Sequence, residues 1–244
     1  MKSQPFVCNA VPSIHYNQRQ HPIEMLVIHS MAHNAVEGIA RLDGLKLSTH
    51  YIVDFDGTIW QCVDEKNRAW HAGVSSWQGL TDINSRSIGI EVCHRSLGQS
   101  AFNRRQIKSL IALCQNIIAR WHISADKIVA HSDIAPNRKA DPGKAFPWQE
   151  LAANNIGIWY GARFSEETDI KKMLSSIGYN TDTEQNISSS AYAFCRRFLP
   201  RKIKTMPVRK LVDNPYPKEN TALLEDSEFI SALQNIYMQY QLYR

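Results

Sequence analysis

The chain has 244 residues, 43% of them apolar and 21% charged, with 11 Gly and 10 Pro. This excludes collagen-like, low-complexity and wholly disordered chains, and no run approaches the ~18 consecutive apolar residues of a membrane span. With 28 Lys and Arg against 23 Asp and Glu, the net charge of +5 falls short of a dedicated nucleic-acid binder but favours approach to a polyanionic polymer.

After Pro22, the run Ile23-Glu24-Met25-Leu26-Val27-Ile28 reads as a strand buried on both faces, ending at His29-Ser30. A short amphipathic stretch follows, with Val36, Ile39 and Leu42 at helical spacing and Gly44 closing it. Two β-rich segments, 50–53 and 58–63, flank Asp54-Phe55-Asp56-Gly57, a strong hairpin signal. Residues 64–86 are polar and turn-rich and read as a long surface loop carrying Trp70, His71 and Trp77. Ordered loops of that length are more often functional than decorative.

Residues 87–92 alternate, with Ile88, Ile90 and Val92 on one face and Gly89 and Glu91 on the other. Apolar residues at 107, 110, 111, 114, 117, 118 and 121 mark a core-facing helix over 104–121, with Asn103 and Gln106 as a capping box. Residues 127–130 form a short strand ending at His131, and a Pro- and charge-rich loop runs from 132 to 147. Beyond Gly161 no strong strand is left, and helical stretches fall near 168–177, 190–199 and 227–240.

The expected fold class is therefore α/β: a mixed domain over residues 1–164, then a small all-helical domain over 165–244. Within the latter, Arg196 to Lys210 holds seven Lys and Arg and no acid, either a cationic face for an anionic polymer or a solvated surface. Five cysteines with no Cys-x-x-Cys pair form neither a zinc ribbon nor a disulfide framework and suit a reducing compartment. The first residues also carry no recognisable signal peptide, so a cytoplasmic location is expected unless one was removed.

Three potential metal ligands stand out by position. His29 and His131 end the first and last strands, and Asp141 lies ten residues beyond His131. Strand ends deliver residues to a common site in open sheets. Two imidazoles and one carboxylate would leave the fourth tetrahedral position of Zn²⁺ free, the catalytic arrangement. Taken singly, each His reads equally as a surface or core residue, and Asp141 as a turn residue before Pro142. Glu91 within Ile-Gly-Ile-Glu-Val is costly to bury unless poised in a polar site, where a carboxylate can take a proton from an activated water. The alternative is a strand whose second face is solvated. Lys139 would offer a cation to a developing oxyanion, or else is a solvated loop charge.

Five segments raise the catalytic reading above these alternatives. Leu26-Val27-Ile28-His29, Ser48-Thr49-His50-Tyr51-Ile52-Val53, Ala69-Trp70-His71-Ala72-Gly73, Ser87-Ile88-Gly89-Ile90-Glu91 and Ala130-His131-Ser132-Asp133 occur in one order, the last running on to Lys139-Ala140-Asp141-Pro142-Gly143. Together they closely resemble the zinc-dependent N-acetylmuramoyl-L-alanine amidases of the AmpD and AmiD type, within the fold shared with peptidoglycan recognition proteins.

The resemblance covers about residues 15–160, and the AmiD-like branch is the nearer. It implies Zn²⁺ held by His29, His131 and Asp141, Glu91 as general base, Lys139 as transition-state stabiliser, and Trp70, His71 and Trp77 lining a substrate groove, with Trp77 equally readable as a core residue. His50 is expected to be structural. A monomer acting on peptidoglycan or muropeptides follows, and the tail resembles a degenerate three-helix peptidoglycan-binding domain. The AmiD likeness also draws the expected location toward the periplasm. The rival expectation is a non-catalytic peptidoglycan recognition module, disfavoured because all five catalytic and ligating residues are present.

Overall fold

A computed structural model describes residues 8–213 and 221–243. Its elements in chain order are β1 (Asn9–Ala10), β2 (Tyr16–Gln18), β3 (Met25–Met31), α1 (Ala35–Gly44), β4 (Tyr51–Val53), β5 (Ile59–Gln61), β6 (Asn67–Ala69), α2 (Ile83–Arg86) and β7 (Ser87–Cys93). There follow α3 (Arg104–Trp121), β8 (Ile128–Ala130), α4 (His131–Ile134), α5 (Trp148–Ala153), α6 (Ile170–Ile177), α7 (Glu184–Phe198), α8 (Val208–Asp213) and α9 (Ser227–Gln241). Six strands make one mixed sheet in the order β1-β5-β4-β7-β3-β8, and β2 pairs with β6 in a separate antiparallel ribbon. The mixed sheet flanked by helices is the one expected from the sequence.

The two faces of the sheet have different cover. Leu26 and Ile28 of β3, with Ile88, Ile90 and Ala130, pack against the apolar stripe of α3 formed by Ile107, Leu110, Leu113, Cys114 and Ile117. Met25, Val27 and Val129 point the other way and share a core with Met173 and Ile177 of α6, Phe194 and Phe198 of α7, and Phe229 and Ile236 of α9. Burying such a side chain is worth roughly 1.5–3 kcal/mol each. The C-terminal helices therefore dock on the sheet itself, across the boundary expected near residue 164.

Several local expectations change. Gln106 does not close a capping box: the Asn103 side chain accepts from the Arg105 N–H, while Gln106 is buried and donates to the carbonyls of Val53 and Cys93. Residues 64–86 are not one loop, since β6 and α2 lie within them. The basic run is not a continuous cationic face. Arg196 and Arg197 are buried, Lys202 pairs with Asp226 and Glu228, and Arg201 pairs with Glu228, whereas Lys204, Arg209 and Lys210 are exposed. All five cysteines are free thiols, four of them buried. Among the described residues no helix is long and apolar enough to cross a membrane.

Candidate metal centre and active site

Strand register assembles the site. Parallel pairing of β3 with β7 sets His29 directly beside Glu91. β3 and β8 pair as far as Ile28 with Ala130, so His29, the next residue of β3, and His131, which opens α4 directly after β8, meet where that pairing stops. The Ser132 N–H then donates to the Asp141 carbonyl at 2.9 Å, bringing the long loop back so that Asp141 lies against His131.

His29 Nδ1 and His131 Nδ1 lie 2.8 Å apart, and Asp141 Oδ2 is 3.3 Å from the first and 3.0 Å from the second. Glu91 Oε1 stands 4.0 Å from His29 Nδ1, and its buried Oε2 has no hydrogen-bond partner among the described residues.

Two imidazole nitrogens and a carboxylate oxygen converging this closely form a group that could hold a metal ion. The donor set suits zinc rather than magnesium or calcium, which prefer oxygen ligands. The separations are close to the roughly 3.3 Å edge of a tetrahedron with ~2.0 Å bonds. His131 Nε2 lies 3.2 Å from the Ala72 carbonyl, the partner that keeps its proton away from Nδ1.

Electrostatics agree with a cation-binding pocket. Burial, reinforced by His131, lowers the His29 pKa to about 4, so the ring is neutral and a ligand at ordinary pH. Burial alone would raise Asp141, but His131 and His29 hold it well below the usual carboxylate range. Burial and then the neighbouring Asp141 push Glu91 up to about 8, with Lys139 opposing the rise. A bound cation would draw the Glu91 value back down.

Above the cluster is a cavity of about 340 Å³ bordered by Glu91, Asp141, Lys139, Arg138, Leu42 and Leu211. Of the eight site residues expected from the sequence, His29, Glu91, His131, Lys139 and Asp141 are thus brought together. The three expected groove residues do not line this cavity. Trp77 is fully buried, edge-on to Tyr179 and Tyr240, with its Nε1 donating to the Asp126 carbonyl, so it is a core residue under the C-terminal helices. Trp70 sits on the β2–β6 side with Nε1 donating to Asn17 Oδ1. His71 lies behind His29, its Nδ1 2.9 Å from His29 Nε2.

Two contributors were missed. Arg138 borders the cavity while donating to the carbonyls of Ala72 and Val74. Its only signal was adjacency to Lys139. Leu211 reaches the cavity from α8, some 70 residues beyond Asp141, and nothing local in the sequence marks it.

The family profile described as N-acetylmuramoyl-L-alanine amidase matches residues 19–144. The chain is 45% identical over 155 residues to the N-acetylmuramoyl-L-alanine amidase AmiD of Escherichia coli strain K12, covering 58% of this chain and 56% of that one. It is 42% identical over 114 residues to the 1,6-anhydro-N-acetylmuramyl-L-alanine amidase AmpD of Enterobacter cloacae, covering 47% and 60%. These matches span a little over half the length of the curated relatives.

Among solved structures, the E. coli AmiD complex with the substrate anhydro-N-acetylmuramic acid-L-Ala-D-gamma-Glu-L-Lys is similar at a TM-score of 0.71. It shares 32% identity and is matched over 92% of this chain and 93% of that one. AmpDh3 from Pseudomonas aeruginosa, in complex with anhydromuramic pentapeptide, gives a TM-score of 0.74 and 27% identity, over 89% and 92%. Both likenesses extend through the C-terminal helices.

Proposed function

The chain belongs to the N-acetylmuramoyl-L-alanine amidase family, and from that premise we propose that it hydrolyses the amide between a muramoyl lactyl group and the L-alanine of a peptidoglycan stem peptide. The observation that carries this reading is the convergence of His29 Nδ1, His131 Nδ1 and Asp141 Oδ2 beside a Glu91 Oε2 that has no hydrogen-bond partner among the described residues.

In this reading His29, His131 and Asp141 hold zinc. When bound, the ion supplies a Lewis acid for the scissile carbonyl and lowers the pKa of a water toward ~7. Glu91, facing the cluster with an uncommitted Oε2, takes the proton of the attacking water and returns it to the departing alanine nitrogen. Lys139, on the cavity wall, places its ammonium toward the oxygen that gains negative charge as the carbonyl carbon becomes tetrahedral. A module that only recognised peptidoglycan would have no use for an uncompensated buried carboxylate there.

The neighbours solved with anhydromuramyl peptides support 1,6-anhydro substrates, and the helices over 165–244 are included in the proposal as a peptidoglycan-binding-like unit. The test is mass spectrometry of stem peptide released by the full chain from anhydro-muropeptides and from intact sacculi, before and after removal of zinc. Release that zinc removal abolishes and zinc restores supports the proposal. Undiminished hydrolysis by protein verified to contain no metal overturns it.

A further inference from the structure

We propose that His71 is the positioning residue of this metal centre: it accepts a hydrogen bond from His29 and so fixes the tautomer that turns the His29 Nδ1 lone pair toward His131 and Asp141. The proposal rests on the zinc reading above but draws on a separate chain of contacts. That chain begins at the backbone. The Ser87 hydroxyl is 2.6 Å from the Ile83 carbonyl and donates its one proton there. Its oxygen can then only accept, and the group facing it at 3.3 Å is His71 Nε2.

A neutral imidazole has one donor nitrogen and one acceptor. With the proton of His71 on Nε2, its Nδ1 is a lone pair. That lone pair faces His29 Nε2 at 2.9 Å, so His29 carries its proton on Nε2 and presents a bare Nδ1 to the cluster. The direction of the whole relay is set by one fixed carbonyl, because a backbone oxygen cannot change roles.

The surroundings are shaped for this ring. A Cβ placed on Gly89 would fall 2.5–2.7 Å from three atoms of the His71 ring. Gly89 carries no positive φ, so close approach rather than backbone strain accounts for glycine at this position. Ser87, Gly89 and Glu91 share one face of β7 at period two: the first orients His71, the second makes room for it, and the third faces the cluster. The backbone is clamped as well, since the N–H groups of His71 and Ala72 both donate to Asn84 Oδ1, at 2.9 and 2.7 Å. One dipeptide thereby serves both histidine ligands, His29 through the His71 ring and His131 through the Ala72 carbonyl.

The deciding measurement is nitrogen-15 NMR of the histidine rings in the metal-free full chain. His29 and His71 are both expected as Nε2–H tautomers, with a scalar coupling from His29 Nε2 to His71 Nδ1 through the shared proton. His71→Phe keeps a ring but lacks the acceptor, and zinc affinity read by competition with a chromophoric chelator should fall about 10–100-fold. His71→Asn, which places an acceptor near the old Nδ1, should recover most of it, and Gly89→Ala should weaken binding by displacing the ring. Thermal unfolding of each metal-free variant separates these effects from misfolding.

A His29 proton on Nδ1 in the wild type, or a folded His71→Phe that binds zinc within about twofold of wild type, overturns the proposal. Wild-type protein that takes up no zinc overturns the metal reading instead, and the tautomer measurement still decides the relay.

Discussion

Replacing Arg197 with Leu probes how firmly the C-terminal helices hold the proposed metal centre. Arg197 of α7 lies 2.7 Å from Asp133 Oδ2, with side chains 1% and 0% exposed, and Asp133 is two residues beyond His131, a proposed zinc ligand. Asp133 Oδ2 also accepts from the Ala130 N–H, and its Oδ1 accepts from the Tyr179 hydroxyl. The guanidinium additionally donates to the Ile128 carbonyl at 3.3 Å and stacks 4.0 Å over Trp148. Breaking one partner from a buried pair costs about 3–5 kcal/mol.

The two hydrogen bonds left on Asp133 favour the lower end, and the lost contact with Trp148 adds roughly 0.5–2 kcal/mol. A net loss of about 4 kcal/mol lowers Tm by roughly 8–16 °C for a chain of this size. Circular-dichroism melts of the metal-free protein measure it. Zinc affinity should fall too, and by more than in a core variant of matched Tm such as Phe229→Leu, because Asp133 caps the residue that leads into His131. A Tm drop below about 3 °C would refute the reasoning, since it is what an exposed pair gives.

Glu91→Gln should keep zinc and fold but lose turnover by roughly 10²–10⁴, with KM little changed; unchanged kcat in the stem-peptide release assay would return Glu91 to a passive strand residue. Acid should destabilise the metal-free protein through His50. Burial and then Arg19 depress its pKa to about 3, and its Nδ1 already accepts from the Gly89 N–H. A folded pKa below the unfolded ~6.5 means stability present in full above pH 6.5 and lost as pH falls toward 3. The slope is about 1.4 kcal/mol per pH unit for this one group, and it should vanish from the denaturant-measured profile in His50→Asn.

What the sequence disclosed and what it hid divide along a physical line. The strand at 25–31 and the helix over 104–121 were legible because hydrophobic periodicity is a local signal, and strand ends pointed to His29 and His131; grouping these with Glu91, Lys139 and Asp141 came from the resemblance of the five segments to a known family. Trp77 could not be decided between groove and core from the sequence, because its neighbours Ser75, Ser76 and Gln78 are polar while the surface that buries it, Tyr179 and Tyr240, lies 100 to 160 residues away. His71 carried the right residue type but the wrong direction. From the sequence it stands among loop aromatics, and only the pairing of β7 with β3 shows that Gly89 opens a slot for it behind His29. The basic run from Arg196 to Lys210 misled for the same reason, its acids Asp226 and Glu228 arriving from the next helix.

The sheet's period of two explains why the C-terminal helices and the chemistry belong to one unit. On β3 the residues Met25, Val27 and His29 project from the same face, and on β8 Val129 precedes His131 in the same sense. The lower rows of that face are apolar and are covered by α6, α7 and α9; the uppermost row carries His29 and His131, beside the cavity that Glu91 and Asp141 border. Because α7 packs on Val27 and Val129, it lies close to His29 and His131, and Arg197 reaches Asp133 and the Ile128 carbonyl. The next segment, α8, contributes Leu211 to the same cavity lining as Lys139. Removing the helices would expose the rows beneath His29 and His131 to water and free the strand that carries one of them. Experiments on catalysis are therefore best read in the whole chain, where the proposed wall-binding role and the site geometry are tested by separate substitutions, Lys204→Ala or Arg209→Ala for the first and Arg197→Leu for the second.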